Sequence, residues 1–261
     1  MTALTMEAYQ PDRSLPAKVT RRLTRWSVAS PLKASPQRTQ ICFTFDDFPK
    51  SAADTGAEIL DEAGARGCFY ACTGMAGTRN LSGDLFDAAD LTALTAAGHE
   101  IGAHTQTHLD CARSDTATVL ADIDTNLAQL AAMGLETPVT QFAWPYGETR
   151  ARLKPKLASR FDVARGVLAG PNGKGSDLMQ LSAYELDESE DSVARATAAI
   201  ERSARLPTWL FIFTHDVRER PSPWGTTPDR LRRLVRLARN TGAELVTPSM
   251  ALSTIRGKEG A

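Results

Sequence analysis

Apolar, β-rich runs recur from residue 40 onward: "QICFTF", "GCFYAC", "HEIGA", "VTQFAW", "FDVARGV", "MQLSAY", "WLFIFTH" and "AELVTP". They predict strands. Helical patterns lie between several of them. The clearest is 115–133, where Val119, Ile123, Leu127 and Leu130 form one stripe behind a Ser114 cap. Another, "TPDRLRRLVRLARN", turns Leu231, Leu234, Val235 and Ala238 inward and its arginines outward to a solvated face. Strand–helix alternation repeated about eight times implies parallel strands with helical crossovers, and a chain of 261 residues suits one α/β barrel.

Residues 1–39 break this rhythm. They hold four prolines and, after Asp12, no acidic residue. Within them "AKVTRRLTRW" spaces Val19, Leu23 and Trp26 as on a helix, among Lys18, Arg21, Arg22 and Arg25. We read a short helix docked on the domain by Trp26, because three apolar residues bury little area. The alternative is a basic amphipathic helix on an anionic membrane surface. The chain divides into a basic, partly helical extension (1–39), a catalytic barrel (40–255) and a flexible tail (256–261).

Net charge is −1 and charged residues make up 23% of the chain, so no nucleic-acid partner is expected. No run approaches a membrane span, and the N-terminus has no apolar leader core. A cytoplasmic location is expected, with peripheral attachment at the inner membrane surface as the variant. Cys68 and Cys72 share one strand, roughly 13 Å apart, too far for a disulfide. Cys42 and Cys111 are isolated in sequence, and reduced, buried thiols are expected. Residues 168–177, "LAGPNGKGSD", lack phosphate-loop spacing and read as a flexible turn. The loop 216–228 is long and holds Trp224, a candidate platform for a ligand ring or a plug for the loop.

The chemistry lies at the ends of the apolar runs, where barrel enzymes place their sites. The first run ends in Asp46 and Asp47, the third leads into His104 and His108, the fourth ends "WPYG", and the seventh ends in His215. Two histidines four apart on a helical turn share a face and can hold a metal. Thr105, Gln106 and Thr107 between them offer no base, so the third ligand and the base are sought in "DD". Each feature alone has a bland explanation: a turn or cap for "DD", a satisfied structural residue for a lone histidine. Together they supply the parts of a hydrolase.

"TFDD", "GHEIGAHTQTH", "WPYGE" and "FTHD" resemble, in order, the motifs of the polysaccharide deacetylase (NodB-homology) family, carbohydrate esterase family 4, over about residues 40 to 250. The resemblance implies a deformed (β/α) barrel of about seven to eight parallel strands in a single domain. It implies hydrolysis of an acetyl group, usually N-linked, from a sugar or glycan, with one divalent metal: zinc first, with cobalt, nickel or manganese as alternatives. By position, Asp46 is the general base and Asp47, His104 and His108 are the metal ligands. The Tyr146 N–H faces the oxyanion, His215 is the general acid, and His99 supports the site. Pro145, Tyr146 and Trp224 are the candidate substrate contacts. The chemistry is coherent in its own right: two imidazoles and a carboxylate leave an ion open positions, and an amine leaves only once protonated.

Two departures touch the surroundings of the site. Ala143 stands where many members carry the Arg that orients the base, and the Asp-Trp motif is absent near "FDVARGVLAG". Arg165, ending the next strand, is the candidate replacement, with a structural surface arginine as the bland reading. The expected partner is an acylated sugar or glycan, with a lipid-linked one included. Competing readings are a deformylase or cyclic-amide hydrolase on the same fold, and a carbohydrate-binding pseudoenzyme.

Overall fold

"QICFTF" forms the central strand. Gln40–Phe45 (β1) is buried at all six positions, as a strand covered on both faces must be. Around it the computed structural model, which describes residues 14–257, arranges a parallel sheet. In chain order the elements are α1 (Leu15–Trp26), β1, α2 (Ala57–Glu62), β2 (Cys68–Ala71), β3 (Arg79–Asn80), β4 (Gly83–Asp84), α3 (Ala88–Ala96), β5 (Glu100–Ala103) and α4 (Thr116–Ala132). Then follow β6 (Gln141–Ala143), α5 (Lys154–Leu157), β7 (Val163–Arg165), β8 (Tyr184–Glu185), α6 (Glu190–Ser203), β9 (Trp209–Thr214), α7 (Pro228–Asn240), β10 (Glu244–Leu245) and α8 (Pro248–Arg256). Residues 1–13 of the expected basic extension and 258–261 of the expected tail lie outside the described residues.

The sheet order is β7-β6-β5-β2-β1-β9-β8, with β10 beside the start of β1, and its strand pairs are parallel. Among the described residues only the β3–β4 hairpin stands apart. Each of the eight apolar runs contributes a strand. The curled sheet forms the expected deformed (β/α) barrel. On one face Ile41, Phe43, Phe45 and Ile212 pack against Leu60, Ile200 and Leu234 from α2, α6 and α7. A second cluster joins Phe142 and Ile123 of α4 with Trp209, Phe211 and Leu181.

Three local expectations change. "MQLSAY" enters β8 only at Tyr184; its earlier part bends along the edge of β7, where Leu181 N donates to Ala164 O and Gly166 N to Leu181 O, both at 2.9 Å. The preceding loop, 168–177, is pinned rather than loose. Buried Asn172 bonds both ways with Ser182, and Asp177 pairs with the buried Lys154 ammonium at 2.9 Å. Finally, α4 is capped by Asp115, whose side chain accepts from Thr118 N, whereas Ser114 donates its hydroxyl to Asp110 O.

Candidate active site

The C-terminal ends of β1, β5, β6, β7 and β9 gather the candidate residues at one mouth. Asp46 N continues the ladder by donating to Thr214 O at 2.9 Å, which sets Asp46 beside His215 on the neighbouring strand. Asp47 and Phe48 then turn through left-handed backbone, with φ of 56° and 57°. The bend is held because Phe48 is buried against Phe69 and Phe86.

The segment after β5 is a loop, not the helical turn that the four-residue spacing suggests. Thr105 and His108 have φ of 61° and 54°. Two residues of α4 pin this loop, and sequence reasoning missed both. Asp122 accepts from Gln106 N and Thr107 N, at 2.6 and 3.2 Å. Asn126, fully buried, donates to Ala71 O, Thr73 Oγ1 and Thr105 O. Its signal was available: Asn126 falls on the same helical stripe as Val119, Ile123 and Leu130, where an apolar residue belongs.

His104 Nδ1 lies 2.8 Å from Ala143 O. A carbonyl only accepts, so Nδ1 carries the hydrogen and Nε2 presents a lone pair. That Nε2 is 3.7 Å from Asp47 Oδ1, and His108 Nε2 approaches the same oxygen at 3.4 Å. Burial lowers the His104 pKa to about 4, so its ring is neutral near neutral pH. Asp47 Oδ1 and His108 Nδ1 are buried without a hydrogen-bond partner. A carboxylate oxygen facing an imidazole lone pair in a dry site is unfavourable unless a cation lies between them. Ligand atoms of Asp47, His104 and His108 all fall within 4.8 Å of one another, and the N/N/O set suits a divalent ion with open positions.

Arg165 is the largest departure from a surface arginine. Its side chain is fully buried, Nη2 bonds to Asp46 Oδ1, and Nη1 donates to Gly166 O at 3.0 Å. The guanidinium lies over the rings of Tyr70 (5.1 Å) and Phe213 (4.7 Å). Tyr70 can take that place because a Cβ at Gly102 would strike its ring. Burial pushes the Asp46 carboxyl up, but Arg165, with His104 and His215, outweighs it and holds Asp46 below the usual carboxylate range.

Tyr146 adopts φ 59° in a tight turn that opens on Pro145. Its ring stands edge-on to His108 at 4.4 Å. His215 Nδ1 lies 3.2 Å from the Trp224 carbonyl, which assigns the Nδ1 hydrogen to that bond. The half-buried Trp224 ring is 6.3 Å from the His215 ring. Asp216 turns away from the imidazole into a buried knot with Ser222 N (2.9 Å) and Arg218 Nε (2.7 Å), which orders the 216–228 loop.

His99 is not part of the mouth. It precedes β5 at the opposite end of the strand, accepts from Gly67 N at 3.0 Å through Nδ1, and faces Asp61 Oδ1 at 3.3 Å through Nε2. The similarity of "GHEIG" to a family motif therefore marks a fold position, not a neighbour of Asp47 and His108.

Comparison with known proteins agrees with this architecture. Residues 33–163 match the family described as polysaccharide deacetylase. Among solved structures, the chain is similar to a chitin deacetylase from the fungal pathogen Colletotrichum lindemuthianum, 17% identical over 86% of this chain and 92% of that one, with a TM-score of 0.62. It is also similar to a family 4 acetyl xylan esterase from Clostridium thermocellum in complex with a cobalt ion (23% identity, 84% and 92% covered, TM-score 0.57). A CE4 family pseudoenzyme from Bacillus anthracis shares the fold as well (13%, 83% and 66%, TM-score 0.55). No curated protein sequence matches the chain. With half of its length matched, and with the sheet, strand-end residues and structural neighbours in agreement, this chain belongs to the polysaccharide deacetylase family.

Proposed function

We propose that the protein is a metal-dependent hydrolase that removes an N-acetyl or similar acyl group from an amino sugar in a glycan or glycan precursor. One observation carries this reading: the donor atoms of Asp47, His104 and His108 converge beside an Asp46–Arg165 pair and next to the strand that ends in His215. Those three residues would hold the ion, zinc first, although the N/O set also accepts cobalt, nickel or manganese. When bound, such an ion supplies a Lewis acid that acidifies water and polarises the acyl oxygen. Asp46 takes the proton of the attacking water. Arg165 keeps that carboxylate ionised and fixes its direction, the role for which Ala143 offers no side chain. The Tyr146 N–H is assigned to the developing oxyanion. His215, with Nδ1 donated to the Trp224 carbonyl, uses Nε2 to deliver the proton that the leaving amine requires. Pro145 and Trp224 flank the sugar.

A non-catalytic sugar-binding protein is the second reading, favoured by Ala143 and by the Bacillus anthracis pseudoenzyme among the neighbours. The two part in one assay. Acyl release is measured for wild type, Asp46→Asn and Asp47→Asn on N-acetylated and N-formylated amino sugars, N-acetylated oligosaccharides and cyclic amides, alongside metal content. We expect Asp46→Asn to keep its metal and lose about 10²–10⁴-fold in turnover, and Asp47→Asn to lose metal and turnover together. Sugar binding without turnover by metal-loaded wild type would establish the pseudoenzyme. Turnover by Asp46→Asn equal to wild type would remove the mechanism.

A further inference from the structure

The N-terminal helix is docked the wrong way round for a helix that belongs to a core. Successive residues turn by about 100° around a helix axis, so Ala17, Arg21 and Thr24 share one face. That face meets the barrel: Thr24 is buried, and Ala17 and Arg21 are half-buried. It is held by polar anchors. Lys154, itself fully buried, donates to Thr24 O at 2.6 Å, and Arg21 pairs with Glu148 at 2.9 Å. Leu15, Val19, Leu23 and Trp26 lie on the opposite side and are 76%, 56%, 57% and 68% exposed. Trp26 therefore does not dock the helix, contrary to the expectation from sequence. An amphipathic helix normally buries its apolar stripe; here one ion pair and one hydrogen bond aim that stripe at solvent.

The flank of the stripe says what would cover it. Lys18, Arg22 and Arg25 lie along one side, Arg22 sits 4.9 Å from the Trp26 ring, and the helix contains no acidic residue. A second copy of the chain is a poor occupant. An isologous contact would bring two such basic rows together, and four side chains fall short of the roughly 800 Å² per partner of a stable interface. Apolar side chains edged by cations match the boundary between acyl chains and anionic headgroups.

We propose that α1 is a membrane-docking element that seats the protein on an anionic lipid surface. Its position gives this a consequence for the site. Glu148, the partner of Arg21, follows Tyr146 by two residues, and a groove of about 370 Å³ runs between α1 and the loop after His108, lined by Thr20, Asp110 and Thr149. Docking through α1 therefore holds the segment that carries Glu148 and Tyr146 about one helix diameter, ~10 Å, from the bilayer, within reach of an acylated sugar carried on a lipid. Only that last step rests on the hydrolase reading; lipid binding is measured without turnover.

The test is co-sedimentation of the full chain with vesicles of phosphatidylcholine plus phosphatidylglycerol, or of phosphatidylcholine alone. Wild type should bind the anionic vesicles, release at high salt, and bind the neutral ones weakly. Leu23→Ser/Trp26→Ser and Arg22→Glu/Arg25→Glu should each weaken binding by about tenfold or more, with melting temperatures unchanged because these side chains are exposed. Equal binding to both vesicle types, or unchanged binding by either double variant, would overturn the proposal. So would a large fall in melting temperature on losing Leu23 and Trp26, since the stripe would then pack on protein. A dimer that Leu23→Ser/Trp26→Ser dissociates, with no vesicle binding by wild type, would give the face to a second copy instead.

Discussion

β5 has a buried histidine at each end, and the two are wired in opposite ways. His99, at the floor, accepts from Gly67 N through Nδ1 and turns Nε2 to the Asp61 carboxylate, so each nitrogen meets a group of complementary character. His104, at the mouth, spends its Nδ1 hydrogen on Ala143 O and points a lone pair at Asp47 Oδ1. At the floor Gln40 donates to Glu244, Gln141 to Ser249, and Ser249 N to Glu100. At the mouth the Asp47 Oδ1 acceptor faces the His104 Nε2 lone pair. Among the described residues the non-glycine positions with left-handed backbone are Asp47, Phe48, Thr105, His108 and Tyr146, all at that end. Such conformations cost about 1–3 kcal/mol each and persist only where the surroundings enforce them. A buried histidine marks a site, then, by what its second nitrogen faces and not by burial.

The largest break in this contrast is Arg165→Met. Burial raises the Asp46 carboxyl, and the Arg165 charge, ahead of His104 and His215, pulls it down. A depressed carboxyl stabilises the fold above its unfolded pKa, and that contribution is lost as pH falls through the folded value. Without Arg165, burial is opposed only by the weaker pull of His104 and His215, and Asp46 protonates at higher pH. We expect a loss of about 3–5 kcal/mol at neutral pH, typical of an orphaned buried charge. In the milder Arg165→Lys, the acid limb of the activity profile should move to higher pH. Denaturant melts and rate profiles across the acid range check both. An unmoved acid limb would mean that Arg165 does not keep Asp46 ionised.

A middle-sized effect is expected at Asn126. Asn126→Leu makes the helix stripe apolar throughout but leaves Thr105 O without its donor, while Ala71 O keeps only His104 N. Residues that hold metal ligands in place are typically worth about 10–100-fold in metal affinity. Competition titration with a chelator should read a loss of that order, without the wholesale unfolding that a core cavity would bring. Unchanged affinity would show that the 104–108 loop holds its shape without α4.

Much of this was legible in the sequence, for physical reasons. The runs that became strands are short, apolar and bounded by turns, so periodicity carried the fold. Asp46, Asp47, His104, His108 and His215 each have a common structural use when taken singly, and stand out because all five end apolar runs that converge on one mouth. Arg165 could be proposed from its place at the end of the strand next to Ala143, but its burial and its pairing with Asp46 depend on a space opened by Gly102 beside Tyr70. No local pattern encodes that. The loop geometry at 104–108 was hidden too, because spacing of four fits a helix equally well and the left-handed residues are Thr105 and His108, not glycines. α1 shows the limit most clearly. Amphipathicity revealed both faces of the helix, but Lys154 and Glu148, more than a hundred residues away, decide which one meets the barrel.

The smallest effect is expected at His99, a buried histidine outside the mouth. His99→Leu fills the space but leaves Gly67 N without its acceptor, at a cost of about 1–3 kcal/mol. It also removes the edge-on contact with Phe69. His99→Asn places an amide oxygen near the lost Nδ1 and should recover part of that stability. Neither change reaches Asp47 or His108, because the length of β5 separates His99 from them. Metal content and turnover should therefore match wild type in both variants at temperatures well below their melting points, while His104→Asn, made in parallel, should lose both. If His99→Asn bound metal more weakly than wild type, the floor and the mouth would be coupled along β5, and the separation drawn between them would fail.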